Sequence, residues 1–369
     1  MPIYMDRHDV SEMVTAENVA QLHQEDLKVQ EQFGCRGLTY WFDDKRKTAF
    51  CLIEAPDKNT IQKMHNHAHG QVPNNIIEVD ASIVESFLGR IEDPEKSKDT
   101  VLNIINDPAF RTIMVIALQE SSLRQRVEGA HIESSFKHTV LKHLNGYEGN
   151  LVKQSESHFL VSFRSASKAV QAAIEIQSLF TEFRKEMYTD KIQLKIGLSA
   201  GVPVTGKKLL FEDTIKIAER MCAIVKGEII LSSEVRELYE SENSTALREE
   251  KGVNALTRTD EKFLTLLMDY TESAWTDTNL KVDDFSKPMG CSKSQLYRKM
   301  MLLTGKSPNT FIKEYRLREA LTLLNSNTSN ISAIAFEAGF SSPSYFSKCF
   351  QKRYGQLPSD FLPGKAGSQ

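Results

Sequence analysis

Two histidines are spaced so that both could hold one metal ion. His65 and His69 lie four positions apart within residues 60–69, which the sequence predicts to be helical. Side chains at positions i and i+4 of a helix share one face, so both imidazoles can reach the same ion. His67 lies on the other side of that helix and is not expected to contribute. Imidazole with oxygen donors suits nickel, zinc, copper, cobalt or iron, and the sequence does not choose between them.

Other residue types that bind metals lie on the first predicted strand and the first predicted helix. Asp6 and His8 share one face of the strand, because strand side chains alternate between the two faces. On the helix, Asp26 interrupts an apolar stripe and His23 lies beside it. A carboxylate that faces a core needs a partner or an ion. These residues are therefore candidates to complete a metal site with the histidine pair.

The elements that must position these side chains follow the order βαββαβ, which predicts a ferredoxin-like sandwich. Cys51 and Glu54 stand on opposite faces of the third predicted strand, so both reach one ion only at a bulge or a strand end. The predicted bounds are strand 3–8, helix 16–33, strands 38–42 and 48–54, helix 60–69 and strand 75–79.

Nearly the whole of this segment resembles a small bacterial family described as nickel-binding. The similar stretches are PIYMDRH, AQLHQEDLKVQ, AFCLIEAP, and MHNHAHG followed by NNIIEV. The resemblance implies a metal-binding sensor domain over residues 1–90. An adaptor domain with surface histidines and one core aspartate that has a partner is the alternative. The ligand candidates that the resemblance implies are His8, His23, His65 and His69, with Asp6, Asp26, Cys51 and Glu54 as ligands or their partners.

The C-terminal residues repeat a pattern typical of helix-turn-helix units. Val282 and Ile331 each precede a glycine by eight residues, and each copy closes with Gly-x-x-Pro. Ser292 and Gln295 form a capping-box pattern in the first copy, and Ser342 suits the N-cap in the second. The side chains expected to point outward are Lys293, Ser294, Gln295, Arg298 and Lys299 in one helix, and Ser344, Tyr345, Ser347, Lys348, Lys352 and Arg353 in the other.

The charge distribution indicates that these helices meet nucleic acid. Residues 281–357 hold 12 Lys and Arg against 5 Asp and Glu, whereas the rest of the chain holds 34 against 44. A basic block on an acidic body is typical of DNA-binding modules. Polar side chains in the first turns suit base edges in the major groove, while Lys348, Lys352 and Arg353 suit phosphates. An ordinary helical bundle with solvated basic faces is the alternative.

Residues 258–362 resemble the DNA-binding domain of AraC-type transcriptional regulators. The similar stretches are SKSQLYRKMMLLTGKSPNTFIKEYRLREALTLL and NISAIAFEAGFSSPSYFSKCFQKRYGQLPSDF. The resemblance implies an all-α domain with two helix-turn-helix units, joined by a long helix over about residues 308–325. It also implies that both recognition helices enter successive major-groove segments of double-stranded DNA.

Residues 109–235 resemble, more faintly, the catalytic domain of class III nucleotidyl cyclases. The similar stretches are FRTIMVIALQESS, VKQSESHFLVSFRSASKAVQAAIEIQ, LKIGLSAGVPV and TIKIAERMCAIVKGEIILSSEV. Their patterns alternate between strand and helix, which predicts an α+β domain. Because members of that family pair across their sheets, the resemblance also implies a homodimer.

The residues that a cyclase needs are missing from this segment. Two carboxylates should hold the catalytic metal ions. Ala117 stands at the first position, and Ser157 stands at the second, with Glu156 off by one residue. Lys216 replaces the asparagine of the family's N-x-x-x-R pair, although Arg220 remains. We therefore expect no enzyme activity and a domain that dimerises; binding of a cyclic nucleotide is an alternative.

The length and composition of the chain are consistent with these domain assignments and exclude some other classes of protein. The 369 residues suit two to three domains, and the longest apolar run, 113–118, is far too short to span a membrane. Five scattered cysteines without a CxxC pair favour reduced thiols, and the N-terminus lacks the pattern of a signal peptide. A cytoplasmic chain without membrane contact is expected. Polar stretches predict linkers at 91–99 and 241–257, which separate domains 1–90, 100–240 and 258–369.

These observations predict a one-component transcriptional regulator. A sensor domain would bind a small effector, either a metal ion or a nucleotide, and change how two protomers present their helix-turn-helix units to DNA. Two alternatives stay open at this point. The middle domain could be the sensor, for a cyclic nucleotide, or the chain could be an active cyclase with a DNA-binding tail.

Overall fold

The computed structural model describes residues 1–94, 102–120, 126–155, 157–186, 192–243, 252–326 and 330–361. Its N-terminal domain has the predicted βαββαβ order, followed by one further helix. The elements are β1 (Ile3–Asp9), α1 (Ala16–Val29), β2 (Arg36–Asp43), β3 (Thr48–Glu54), α2 (Lys58–Ala68), β4 (Asn75–Val79) and α3 (Ala81–Leu88). The α-helix predicted over 16–33 ends at Val29 and continues as a 3-10 helix, Gln30–Phe33.

The N-terminal sheet is antiparallel, with the strand order β2-β3-β1-β4. Side-chain alternation gives it two buried faces. Tyr4 and Phe42 belong to the face that packs against α1 and α2. Met5, Trp41 and Phe50 belong to the opposite face, which packs against α3 and the next domain. The candidate metal residues lie on the first of these faces, under the two helices.

The middle domain is the predicted α+β unit, with a six-stranded sheet in the order β10-β9-β8-β5-β7-β6. The four strands that come first in the chain, β5 to β8, lie in the order β6-β7-β5-β8, which corresponds to β2-β3-β1-β4 of the N-terminal sheet. Strands β9 and β10 extend the sheet beside β8 as parallel strands. The elements are β5 (Arg111–Glu120), α4 (Arg126–Gly146), β6 (Asn150–Gln154), β7 (His158–Phe163), α5 (Ala166–Glu186), β8 (Ile192–Gly201), α6 (Glu212–Ile224), β9 (Ile229–Leu231), α7 (Ser233–Glu242) and β10 (Val253–Ala255).

The C-terminal domain is helical and contains both predicted helix-turn-helix units. Its helices are α8 (Arg258–Ala274), α9 (Val282–Ser286), α10 (Lys293–Thr304), α11 (Pro308–Ser326), α12 (Ile331–Glu337) and α13 (Pro343–Tyr354). Helix α11 is the predicted linking helix. Gly339, in the turn of the second unit, has a φ of +76°, and a Cβ there would lie 2.3 Å from the carbonyl oxygen of Trp275. Only glycine fits this turn.

Two hydrophobic cores cross the domain boundaries. Trp41 of the N-terminal sheet shares a core with Phe87 of α3, Ile113 of β5 and Phe211 of the middle domain. The core of the first helix-turn-helix unit continues into the middle domain, where it includes Val115 of β5. Strand β5 therefore contacts both flanking domains, and the three domains pack as neighbours along the chain.

The predicted linkers are partly wrong. Leu102 and Ile105 follow the first predicted linker, in what was expected to be the start of the middle domain, and they pack on the N-terminal core. Residues 95–99 of that linker lie outside the described residues. In the second linker, Val253–Ala255 form strand β10, because they pair with β9 at the sheet edge. Short strands recruited by an existing edge carry little local sequence signal.

No helix in the described stretches of the chain is both long enough and apolar enough to cross a bilayer.

Gly197→Ala should destabilise the middle domain by about 1–3 kcal/mol, because an added Cβ would overpack a close strand–helix contact. Gly197 lies on β8, where a Cβ would be 2.4 Å from the carbonyl oxygen of Ala218 and 3.0 Å from Sγ of Cys222 on α6. Thermal unfolding of the full chain measures the effect. Gly146→Ala is the matched control, since no described heavy atom outside its own helix lies within 4 Å. Equal melting temperatures for the two variants would contradict the described packing.

Candidate metal centre and DNA interface

The candidate metal centre lies between the N-terminal sheet and helices α1 and α2. Strand β1 contributes Asp6 and His8, and α1 contributes Asp26. His65 lies on α2 and is 1% exposed, while His69 caps the C-terminal end of that helix. The apolar positions of both helices face the sheet, so polar residues on the same faces are buried with them. The predicted i, i+4 pair and the shared strand face are both observed.

His65 is held between two buried carboxylates. Its Nε2 lies 2.9 Å from Oδ2 of Asp6, and its Nδ1 lies 3.0 Å from Oδ1 of Asp26. Each carboxylate also has a second imidazole beside it. His69 Nε2 lies 3.1 Å from Asp26, and His8 Nε2 lies 3.4 Å from Asp6. The result is a continuous row of alternating imidazoles and carboxylates.

The candidate ligand atoms fall into two groups, and the atoms of each group all lie within 4.8 Å of one another. One consists of Asp26, His65 and His69, and the other of Asp6, His8 and Cys51. Ligands about 2.0–2.2 Å from one ion are about 3.0–3.5 Å from each other, which matches the observed donor separations. Nε2 of His8 is buried, and apart from its long 3.4 Å contact with Asp6 it has no partner in the described chain, which leaves it available as a ligand. The donor set fits a late divalent metal.

The charges in this row stabilise one another. Burial favours the neutral form of His65, but hydrogen bonds to Asp26 and Asp6 outweigh it and raise the pKa of His65 to about 10. Burial likewise opposes ionisation of Asp6, yet His8 and His65 hold the pKa of Asp6 well below its usual value. His65 and His69 lower the pKa of Asp26 in the same way. A proton on His65 therefore occupies a position that a metal ion would take.

Cys51 is buried beside this row. Burial raises the pKa of its thiol well above the usual value, and the charges of Asp6 and Asp26 raise it further. The backbone N–H of Cys51 donates a 3.0 Å hydrogen bond to Oδ1 of Asp6. The thiol is therefore neutral beside the carboxylates, and a bound metal ion would favour its thiolate form.

Two of the predicted metal residues lie elsewhere. Glu54 pairs with the N-terminus of Met1 at 3.3 Å and with Arg36 at 3.4 Å, so the expectation that it joins the centre is wrong. It points to the other face of β3 from Cys51, as the alternation requires. His23 joins neither group; its Nε2 lies 3.4 Å from Oδ2 of Asp93. Asp93 was missed because it lies in a charged stretch that predicts only a linker.

The first candidate DNA-contacting helix is α10. Ser292 and Gln295 form the predicted capping box, in which the backbone N–H of Ser292 donates to Gln295 Oε1 at 2.9 Å. Ser294 and Arg298 are exposed, whereas Lys299 is half-buried. Lys293, also exposed, pairs with Asp283 at 2.5 Å.

Lys299 does not point outward as expected. Its Nζ pairs with Asp260 at 3.3 Å and lies 5.1 Å from the centre of the Phe263 ring, both on α8. Lys299 lies at the edge of the exposed face of α10, and its side chain contacts α8 instead of extending into solvent. Lys299 therefore supports the packing of α10 on α8.

The second candidate helix, α13, presents a more uniformly exposed face. Ser342 caps it, Phe346 and Phe350 are fully buried on its inner side, and Pro343 occupies the first turn as predicted. The exposed candidates are Ser344, Tyr345, Lys348, Lys352 and Arg353, and Ser347 is half-buried.

The positions expected to be catalytic in a cyclase contact the C-terminal helical domain instead. Arg220 on α6 is paired with Glu272 at 2.8 Å and with Asp269 at 2.6 Å, both on α8. Lys216 pairs with Glu272 at 3.2 Å. Ala117 is buried in the core shared with the first helix-turn-helix unit. Glu156, the displaced acid, lies outside the described residues.

The N-terminal and C-terminal domains each match a known family profile. Residues 4–79 match a family profile described as "Nickel responsive protein SCO4226-like", and residues 285–363 match one described as "Helix-turn-helix domain". The crystal structure of SCO4226 from Streptomyces coelicolor is 31% identical; the match covers 21% of this chain and 94% of that one, with a TM-score of 0.20.

The sequence relatives that match include two that align with only part of the chain. The HTH-type transcriptional regulator ExsA of Pseudomonas aeruginosa is 38% identical over 85 residues, 23% of this chain and 31% of ExsA. Histidine kinase P4 of Formosa agariphila is 40% identical over 102 residues, 28% of this chain and 7% of that protein. The chain thus spans less than a third of the length of each.

The fold and these matches define the C-terminal region as a helix-turn-helix domain that is similar to part of the transcriptional regulator ExsA. The N-terminal region is an SCO4226-like domain.

His65→Ala in the full chain should weaken nickel binding at least tenfold, since it removes an imidazole that lies between both ligand groups. His69→Ala should also weaken binding, and it leaves the buried Asp6–His65 contact intact. Isothermal titration with Ni²⁺ measures the loss.

His67→Ala is the matched control for these variants, because His67 is exposed on the same helix. Equal affinities for His67→Ala, His65→Ala and His69→Ala would show that the row of histidines is not the metal centre.

Proposed function

We propose that this chain is a one-component transcriptional regulator that binds specific double-stranded DNA sequences in the cytoplasm and responds to a late divalent metal, with nickel as the first candidate. The observation that carries the proposal is the buried row of imidazoles and carboxylates around His65, in the same chain as two capped helix-turn-helix units. Three imidazoles and two carboxylates collected in a core suit an ion better than they suit a passive adaptor.

The metal ion would bind through the two ligand groups. Asp26, His65 and His69 supply one set of donors, and Asp6, His8 and Cys51 supply the other. A bound ion would neutralise the excess carboxylate charge and displace the proton that His65 otherwise holds. Binding would add to the stability of the metal-bound arrangement, which is the condition for an effector to shift a conformational equilibrium.

DNA would be read mainly through α10 and α13. Ser294 and Arg298 are exposed in the first half of α10, where an arginine can contact guanine through two hydrogen bonds. Lys348, Lys352 and Arg353 on α13 are exposed cations suited to phosphates, which position the protein without specifying sequence.

The middle domain would be a non-catalytic, cyclase-like scaffold that also supports a homodimer. Lys216 and Arg220 support this reading, since their charges are taken up by Glu272 and Asp269 rather than left for a nucleotide. The sheet face on the α6 side is covered by the chain's own flanking domains. Ile113 on this face packs with the N-terminal domain, and Val115 packs with the first helix-turn-helix unit. A second copy would therefore pair through a different surface.

Arg298→Ala should lower affinity for a selected DNA sequence by about 1–3 kcal/mol and relax the preference at one base pair. The sequence is first obtained by selection from a randomised duplex library, and fluorescence anisotropy gives the affinities. Lys352→Ala should weaken binding to selected and random DNA alike and reduce the salt slope by about one phosphate contact.

Failure to select any DNA sequence would contradict the regulator assignment. If a sequence is selected and Arg298→Ala binds it with the same affinity as the wild type, only the assigned recognition face is contradicted.

The purified chain, incubated with ATP or GTP and Mn²⁺, should form no cyclic nucleotide above background, because no acid stands at the position of Ala117. Mass spectrometry of the reaction checks this. Product that disappears in a Glu156→Ala variant would make that residue a displaced metal ligand and the chain an enzyme.

A further inference from the structure

The two helix-turn-helix units are built around separate hydrophobic cores. Leu296 and Met300 of α10 belong to the core that the first unit shares with the middle domain. Phe346 and Phe350 of α13 belong to a second core, which also includes residues of α11 and α12. Each candidate DNA-contacting helix is thus fixed to its own core, and the contacts between the two units must set their relative position.

Helix α11 is one connection between the units. Its first half contributes Phe311 and Ile312 to the first core, and its second half contributes Leu317 and Leu324 to the second core. Arg316 lies where the helix passes from one core to the other. Because long helices bend, one helix alone does not fix the angle between the two units, and further contacts are needed.

The backbone carbonyl of Trp275, at the end of α8, is a second connection. Nε of Arg316 donates a 2.7 Å hydrogen bond to this carbonyl, and Nη2 of Arg316 donates to the carbonyl of Asp277 at 2.5 Å. In the turn of the second unit, a Cβ on Gly339 would lie 2.3 Å from the same Trp275 oxygen and 2.8 Å from Nε of Arg316. The end of α8, the middle of α11 and the turn of the second unit therefore meet at one point.

Trp275 is itself held in place. Its partly buried side chain packs against both cores, and its ring centre lies 6.1 Å from that of Tyr315 on α11. Helix α8 is also fastened to the middle domain, because Arg220 pairs with Asp269 at 2.6 Å and with Glu272 at 2.8 Å. The Trp275 carbonyl is therefore a fixed acceptor. Two hydrogen bonds from one planar guanidinium set the direction of the contact as well as its distance.

We propose that Arg316 is a positioning residue that fixes the second helix-turn-helix unit against Trp275 and so sets the spacing at which α10 and α13 read DNA. Successive major-groove segments on one DNA face lie about one helical turn, roughly 34–36 Å, apart. One inserted base pair moves one segment by about 3.4 Å and rotates it by about 34°, which a rigidly held pair of helices cannot follow. The inference rests on the proposed DNA binding and adds the residue that determines which spacing is accepted.

Binding to DNA of altered spacing tests this role. The selected duplex is compared, by fluorescence anisotropy with the full chain, with a duplex that carries one extra base pair between the two contacted segments. The wild type should bind the lengthened duplex at least about tenfold more weakly, because rigid units cannot engage both segments at once. Arg316→Met keeps the aliphatic part of the side chain but removes both donors. It should bind the two duplexes with affinities within about threefold of each other, since the second unit can then adjust its position.

Two further variants control for charge and for hydrogen bonding. Arg318→Met removes the same charge from the same helix, and Arg318 is exposed and pairs with its neighbour Glu319 at 3.2 Å. It should discriminate between the two duplexes as the wild type does. Arg316→Lys retains a donor for the Trp275 carbonyl without the planar fork, and it should restore part of the discrimination.

Hydroxyl-radical footprinting separates a positioning role from a loss of folding. Arg316→Met should still protect both DNA segments on both duplexes, because the apolar core that holds α13, around Phe346 and Phe350, stays unchanged. Loss of protection at the second segment of the original duplex would show that Arg316 only supports the folding of the second unit. That result would overturn the proposal.

Two kinds of failure separate this inference from the proposed function. If no DNA sequence can be selected, the proposed DNA binding is overturned and this inference with it. If a sequence with two protected segments is selected, and Arg316→Met discriminates between the spacings as strongly as the wild type, this inference alone is overturned. A wild type that binds both duplexes equally well overturns it in the same way.

Discussion

Strand β5 is buried on both faces, and its side chains belong to three different cores. Met114 and Ile116 face the core under α4 and α5. Ile113 faces the N-terminal sheet, while Val115 and Ala117 face the first helix-turn-helix unit. A buried aliphatic side chain contributes about 1.5–3 kcal/mol, so separating either flanking domain would expose apolar surface of this one strand at considerable cost. The relative placement of the N-terminal, middle and C-terminal domains depends on this constraint.

The same constraint gives the charged groups their roles. The middle-domain sheet face that packs on α6 is covered by the flanking domains, and Arg220 joins α6 to α8 through Glu272 and Asp269. In the N-terminal domain, one face of the sheet packs in the shared core and the other face carries the candidate metal centre. A change around His65 therefore acts on a sheet whose opposite face contacts β5, and the segment containing Asp93 reaches the same strand along the chain. Coupling through such packed contacts needs two distinct arrangements, which the metal ion would select between.

Local sequence rules predicted the features that depend on neighbouring residues. The i, i+4 spacing of His65 and His69, the strand alternation of Asp6, and the Ser292 cap are all present in the structure. Features that depend on distant parts of the chain were missed. Lys299 pairs with Asp260 of α8, 39 positions earlier in the chain, and strand β10 exists because β9 offers an edge. The partner of His23 is Asp93, 70 positions away. Spacing along one element says nothing about which other element packs against it, and shared cores between domains leave no local pattern.

The most direct test of the account is the affinity of the full chain for its selected DNA sequence, measured by fluorescence anisotropy with nickel and with a chelator. Coupling between two sites is typically worth about 5- to 150-fold in affinity. The account predicts that nickel changes the dissociation constant for the selected sequence by at least about fivefold. It also predicts that His65→Ala loses this response while it still binds the DNA. Identical dissociation constants in nickel and chelator, for a chain shown by dialysis to hold nickel, would contradict a metal-responsive regulator.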